Sequence, residues 1–161
     1  MAQAPWWKGT RGEWYVIVQF LLFALILLAP LAPGQPGWPG LAGLAARGLG
    51  LLLGLAGGAL ALAGLLHLGP NLSVLPHPKD DAALVEAGAY ALVRHPIYAG
   101  LIIGALGWAL LTNSLLALGL AAVLLVFFDV KSRREERQLV ARFPSYADYR
   151  RRVRKFFPFI Y

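Results

Sequence analysis

Apolar residues in this chain fall in long runs, not in the alternating or one-sided patterns of soluble elements, and short clusters of Pro, Gly or charge separate the runs. A spanning helix needs about 20 apolar residues. The first run, Trp14 to Leu31, meets that length. Pro30, Pro33, Pro36 and Pro39, with Gly34, Gly37 and Gly40, then break any helix and predict a loop. The second run extends from about Gly48 to Leu68, with Arg47 outside it; its Gly54-x-x-x-Gly58 spacing predicts a face for close helix contact. Pro70 to Gly88 is a polar connector. Pro96 to Leu111 and Leu115 to Phe128 are shorter, each about 15 residues and roughly 22 Å long. They predict a helical hairpin turning at Thr112-Asn113-Ser114, with Pro96 suited to the first helical position because its missing amide proton is not needed there. From Asp129 an amphipathic, charged helix is predicted, ended by Pro144. The tail from Tyr146 to Tyr161 alternates aromatics with Arg and fits a segment lying on headgroups.

The fold class that follows is an all-α integral membrane protein with about four transmembrane helices, including the short hairpin, plus a C-terminal cytoplasmic interfacial helix. It reads as one membrane domain, residues 1–161, in which residues 1–70 supply two N-terminal transmembrane helices and residues 71–161 carry the polar chemistry.

Composition agrees: 58% of residues are hydrophobic and only 14% charged, against about 25% charged in soluble domains. The 18 glycines suit helices that approach through small residues, and oligomers through Gly-rich faces are one use of them. Lack of cysteine excludes disulfides, thiolate metal sites and a cysteine nucleophile. A formal charge of +7 points to anionic lipid headgroups, not nucleic acid, because the basic residues cluster beyond a hydrophobic segment. With four crossings, every Lys and Arg except Arg47 falls on one side. The positive-inside rule makes that side, with both termini, cytoplasmic, in a multi-pass cell (inner) membrane protein. Lys8 and Arg11 precede the first run without a small-residue cleavage site after it, which reads as a retained helix, not a signal peptide.

Polar chemistry concentrates in Tyr90-Ala-Leu-Val-Arg94-His95-Pro96-Ile-Tyr98 and in Arg134-Glu135-Glu136. Tyr90, Arg94, His95 and Tyr98 converge on a helix start, where free amides and the helix dipole favour an anion. The simpler reading is an interfacial Arg and a helix cap. Glu135 and Glu136 read either as solvated surface, pairing with Lys131 and Arg133 along the helix, or as a hold for a polar or cationic ligand group, with Tyr146 and Tyr149 nearby. His67 and His77 make no metal site with Asp80 and Asp81, since no close ligand repeat joins them; no metal is assigned.

The Gly88-Ala-Tyr90 segment, the block Val93-Arg-His-Pro-Ile-Tyr-Ala-Gly100, the Glu135-Glu136 pair, and Phe143-Pro-x-Tyr146-x-x-Tyr149 followed by basic residues and Phe157-Pro-Phe resemble the isoprenylcysteine carboxyl methyltransferase family, which is related to phospholipid methyltransferases. The likeness runs from about Asn71 to the C-terminus. It implies an S-adenosylmethionine-dependent methyltransferase whose cofactor-binding core is residues 71–161. Carried over residue by residue, it implies cofactor contacts at Leu84, Val85, Tyr90, His95, Pro96, Tyr98 and Glu135, with Glu136 beside them. It also implies a cation for the acceptor carboxylate about one turn before the acidic pair, with Lys131 or Arg134 as its counterpart; Arg94 is a third candidate on charge alone. The implied acceptor is a lipophilic, prenylcysteine-like carboxylate in the membrane. Such a carboxyl group is ionised at neutral pH, so no general base is required. Two other readings stand beside it: methylation of a phospholipid or other amphiphile, and a non-catalytic membrane scaffold with a lipid-binding basic tail.

Overall fold

The computed structural model describes residues 12–34, 37–71 and 83–158; the expectations placed on Lys8, Arg11, Pro36, His77, Asp80, Asp81 and the last three residues lie outside them. The first apolar run forms helix α1, Glu13–Leu28, which tightens into a 3-10 turn at Ala29–Leu31 where Pro30 enters. Helix α2, Gly40–Leu68, begins well before the predicted Gly48, so Arg47 lies inside the helix and not beyond it. Polarity ended the predicted element there, but a helix ends only where its backbone bonding is interrupted, and Pro39 is the nearest such point. At about 1.5 Å per residue, α2 is about 43 Å long and outreaches a hydrocarbon core of about 30 Å.

After the connector come a single turn, α3 (Ala89–Leu92), and then α4 (Pro96–Leu111), which starts at the predicted proline. The turn to α5 is at the predicted residues: Asn113 takes φ 52°, a left-handed conformation that Asn tolerates, and Ser114 Oγ caps α5 by accepting from Ala117 N at 3.1 Å. Helix α5 then runs unbroken through Leu115–Arg142. The hairpin's second arm and the charged segment from Asp129 are therefore one helix that leaves the apolar layer without a break. It stops before Phe143-Pro144, and a short α6, Tyr146–Arg152, follows.

Helices α2 and α4 pack antiparallel along glycine. The buried glycines of α2 recur every seventh position, Gly43, Gly50, Gly57 and Gly64. A Cβ at Gly57 would stand 2.6 Å from the Gly100 carbonyl oxygen, and one at Gly100 would stand 2.5 Å from the Gly57 carbonyl oxygen. The expected Gly54-x-x-x-Gly58 face is only half right. Gly54 lends its backbone to Gly107, whereas Gly58 is exposed with nothing within 4 Å of a Cβ built on it. A repeat of seven stays in register with a partner helix, while a spacing of four drifts off its face.

On its other side α4 meets α5 through Ala99, Ile102, Leu124 and Phe128, and α1 closes over α5. Trp108 Nε1 of α4 donates to the Ile26 carbonyl of α1 at 3.1 Å. Among the described residues, three helices are long and apolar enough to cross a membrane, and short α4 is wedged between two of them. Exposed leucines such as Leu52, Leu55, Leu62 and Leu66 face outward along α2. The chain is a multi-pass integral membrane protein whose lipid-facing surface is leucine and whose helix contacts are small residues.

Candidate active site

Two features of the sequence build a polar cluster at one end of the bundle. Pro96 starts α4 and forces His95 out of the helix, so Arg94 and His95 stand at its mouth. The uninterrupted α5 then carries Lys131, Glu135 and Glu136 past the apolar layer to the same level. Arg94 Nε lies 2.9 Å from Glu136 Oε1, and His95 Nε2 lies 3.1 Å from the same oxygen. His95 Nδ1 faces Glu135 Oε2 at 3.9 Å, and Tyr98 Oη donates to that oxygen at 3.1 Å. Residues 94–98 and 135–136 thus meet across about 40 positions of sequence.

The glutamates differ in kind. Glu136 is buried and also has Arg150 Nε at 3.6 Å, so it serves as an internal anchor. The side chain of Glu135 is 28% exposed and keeps a face open. Neither forms the surface pair considered from spacing. Arg133 turns to Asp129 (2.8 Å) and Lys131 donates to Gln19 Oε1 of α1 at 2.6 Å.

Aromatic rings support the cluster. Tyr98 stacks on His95 (centroids 5.5 Å, planes 7° apart) and on Phe128 (4.5 Å, 10°), making a three-ring column from the mouth of α4 into the core. Lys131 Nζ lies 5.2 Å from the centre of the Tyr98 ring while its residue is only 1% exposed. Arg134 sits over the Tyr15 ring at 5.6 Å, at the α1 edge.

The tail folds back to close the cluster. Arg94 N donates to the Arg154 carbonyl at 2.8 Å and His95 N to that of Lys155 at 3.1 Å, while the Arg94 guanidinium reaches the carbonyls of Arg150 and Val153. Lys155 Nζ lies 2.5 Å from Asp129 Oδ1, and Phe156 packs against His95. Tyr149 Oη donates to the Tyr90 carbonyl at 2.6 Å. Burial, and then the charge of Glu135, pushes the Tyr90 phenol well above its ordinary value; burial likewise raises Tyr149 and Tyr146. All three stay protonated donors at neutral pH. Tyr146 Oη is the buried side-chain polar atom without a partner among the described residues.

Gly88 is fixed by geometry: its φ is 63°, and a Cβ there would run into the His67 ring of α2. Tyr90 is thereby set below the cluster. Leu84 and Val85 are half-buried in the irregular approach to Gly88, and Pro96 is buried at the head of α4. Gln19, Asp129, Lys155, Phe128 and Phe156 belong to the cluster and were missed from sequence. Gln19 alone had a signal, as a lone amide inside an apolar run.

The family description that matches residues 45–145 is phospholipid methyltransferase. The cobalt-zinc-cadmium resistance protein CzcN of Cupriavidus metallidurans is 34% identical over 148 residues, covering 91% of this chain and 62% of that protein. The protein-S-isoprenylcysteine O-methyltransferase of Schizosaccharomyces pombe is 44% identical over 82 residues, covering 50% of this chain and 35% of that one. A solved eukaryotic intramembrane Ras methyltransferase, an isoprenylcysteine carboxyl methyltransferase, has the same fold with a TM-score of 0.65 at 24% identity; 99% of this chain and 55% of that chain superpose. The chain therefore spans between about a third and three fifths of the length of these proteins.

Proposed function

The chain belongs to the phospholipid methyltransferase family, matched over residues 45–145, and from that premise we propose that it is an S-adenosylmethionine-dependent methyltransferase acting on a membrane-embedded, prenylcysteine-like carboxylate. The observation that carries the reading is the meeting of His95 and Tyr98 with Glu135: one partly open carboxylate within reach of an imidazole and a phenol, at the mouth of a helix. The 44% identity over 82 residues to a protein-S-isoprenylcysteine O-methyltransferase supports a carboxylate acceptor.

The residues present suit the cofactor's chemistry. Glu135 offers acceptor oxygens to an ammonium or ribose, the faces of His95 and Tyr98 suit a flat or cationic group, and buried Tyr146 Oη is a donor without a partner among the described residues. Tyr90, Leu84 and Val85 lie on the approach from the connector. When bound, S-adenosylmethionine supplies an activated methyl group on a sulfonium.

The protein's own part is alignment and dehydration. Lys131, held by Gln19 beside the Tyr98 ring, is assigned to the acceptor carboxylate, and Arg134 guards the α1 edge. The guanidinium of Arg94 is engaged by Glu136 and two carbonyls, so it is assigned to positioning and not to the acceptor. An ionised carboxylate needs no proton removed, which fits a cluster whose histidine is tied to glutamate. The basic side of the bundle, carrying this cluster, is assigned to the cytoplasm.

Transfer of labelled methyl from S-adenosylmethionine to an N-acylated S-farnesylcysteine tests the reading. Incorporation into the free acid but not its methyl ester supports it. Incorporation into phosphatidylethanolamine instead assigns the amine reading, and none into either by folded protein overturns both.

A further inference from the structure

The opposite end of the bundle holds a second polar site. Helix α4 separates it from the Glu135 cluster by its whole length, about 24 Å. There the segment after α1, the start of α2 and the α4–α5 turn border an open cavity of about 540 Å³, whose lining includes Trp38, Arg47, Thr112, Asn113 and Ser114. Such a space at the end of membrane helices lies at headgroup depth.

Its chemistry is one-sided. With the Asn113 amide turned to satisfy its neighbours, as amide orientation is assigned, its nitrogen donates to the Leu110 carbonyl (3.2 Å) and its oxygen accepts from Arg47 Nε (3.3 Å). The guanidinium is thereby held at Nε, and Arg47 lines the cavity. Among the described residues no carboxylate lies within ion-pair distance of Arg47. Position is also specific: Arg47 lies four residues after Gly43 and three before Gly50, on the edge of the glycine stripe that meets α4. Close in sequence to the lining residues Pro30, Ala32 and Pro39, Leu31 is 78% and Leu41 81% exposed, and Trp38 contributes to the lining a ring of the kind found at headgroup level.

We propose that the Arg47–Asn113 cavity binds the phosphate of an anionic lipid from the leaflet opposite the Glu135 cluster, with the acyl chains lying against Leu31 and Leu41. A fixed guanidinium edge matches phosphate oxygens two at a time. The lipid seats the α4–α5 turn against the head of α2. This site does not depend on the methyl-transfer reading, since no residue is shared.

Native mass spectrometry of detergent-purified protein with phosphatidylglycerol tests it. Retained lipid falls about ten-fold in Arg47→Ala, falls less in Arg47→Lys, which keeps the charge without the fork, and is unchanged in Arg137→Ala, an exposed arginine of the other face. Competition by millimolar inorganic phosphate identifies the soluble anion as the ligand; retention despite phosphate identifies the lipid. Equal retention in wild type and Arg47→Ala, or an equal loss in Arg137→Ala, overturns the site. Should Arg47→Ala fail to fold, Arg47→Lys alone decides: full retention contradicts a bidentate phosphate contact.

Discussion

Arg94 and Glu136, 42 residues apart in sequence, meet at 2.9 Å in a place where both side chains are nearly sealed from solvent. Breaking such a pair from one side leaves a buried charge alone and costs about 3–5 kcal/mol. Glu136→Ala is expected to lower the thermal midpoint in detergent strongly and to free the C-terminal tail for proteolysis after Arg142. Arg94→Ala should do the same, and the double variant should be less unstable than the sum of the two. Differential scanning fluorimetry with limited proteolysis checks this; additive losses would mean that the two groups do not interact.

Neighbouring glycines of α2 should respond in opposite ways. Gly57→Leu drives a side chain into the Gly100–Gly104 backbone of α4, where even a Cβ would be 2.6 Å away, whereas Gly58→Leu points into open space. The first is expected to cost several times the 1–3 kcal/mol typical of overpacking, because backbone cannot yield as a side chain does, and the second about zero. Thermal stability and yield of the two variants, side by side, measure the difference.

Tyr98 has two jobs that substitution separates. Tyr98→Phe keeps the column between His95 and Phe128 but removes the hydrogen bond to Glu135. Cofactor affinity is expected to fall about five- to ten-fold with little change in stability. Tyr98→Ala removes the column as well and should cost stability of about 3–5 kcal/mol. Calorimetry and thermal unfolding together report both.

The alkaline limb of stability carries a signature of the tail. Tyr90, Tyr146 and Tyr149 have phenols raised by burial above the ordinary value of about 10. Below that pH the unfolded chain also keeps its phenol protons, so their contribution is fully present. As pH rises beyond it, the unfolded chain releases protons that the folded chain retains, and stability falls. The thermal midpoint should drop more steeply above about pH 10 in the wild type than in Tyr149→Phe; equal slopes would place Tyr149 outside the buried contact with Tyr90.

Much of this was readable from the order of residues. Pro96, Asn113, Ser114 and Pro144 mark their boundaries because each acts on its own backbone, and local chemistry is what a sequence displays. The convergence of residues 94–98 with 135–136 was expected from resemblance and not from spacing. What stayed hidden depends on partners far along the chain. Arg47 lay inside α2 because a helix does not end where polarity begins, and the glycine face followed the seven-residue repeat that α4 imposes. Lys131 turned to Gln19 because α1 packs on that side of α5.

The central claim is that His95, Tyr98 and Glu135 form one cofactor site. Isothermal titration of the folded, detergent-purified protein with S-adenosylmethionine or its demethylated product tests it most directly. Saturable binding is expected, lost at least ten-fold in Glu135→Ala and His95→Ala and intact in Gly58→Ala. Absence of binding, or affinity indifferent to Glu135 and His95, would contradict it.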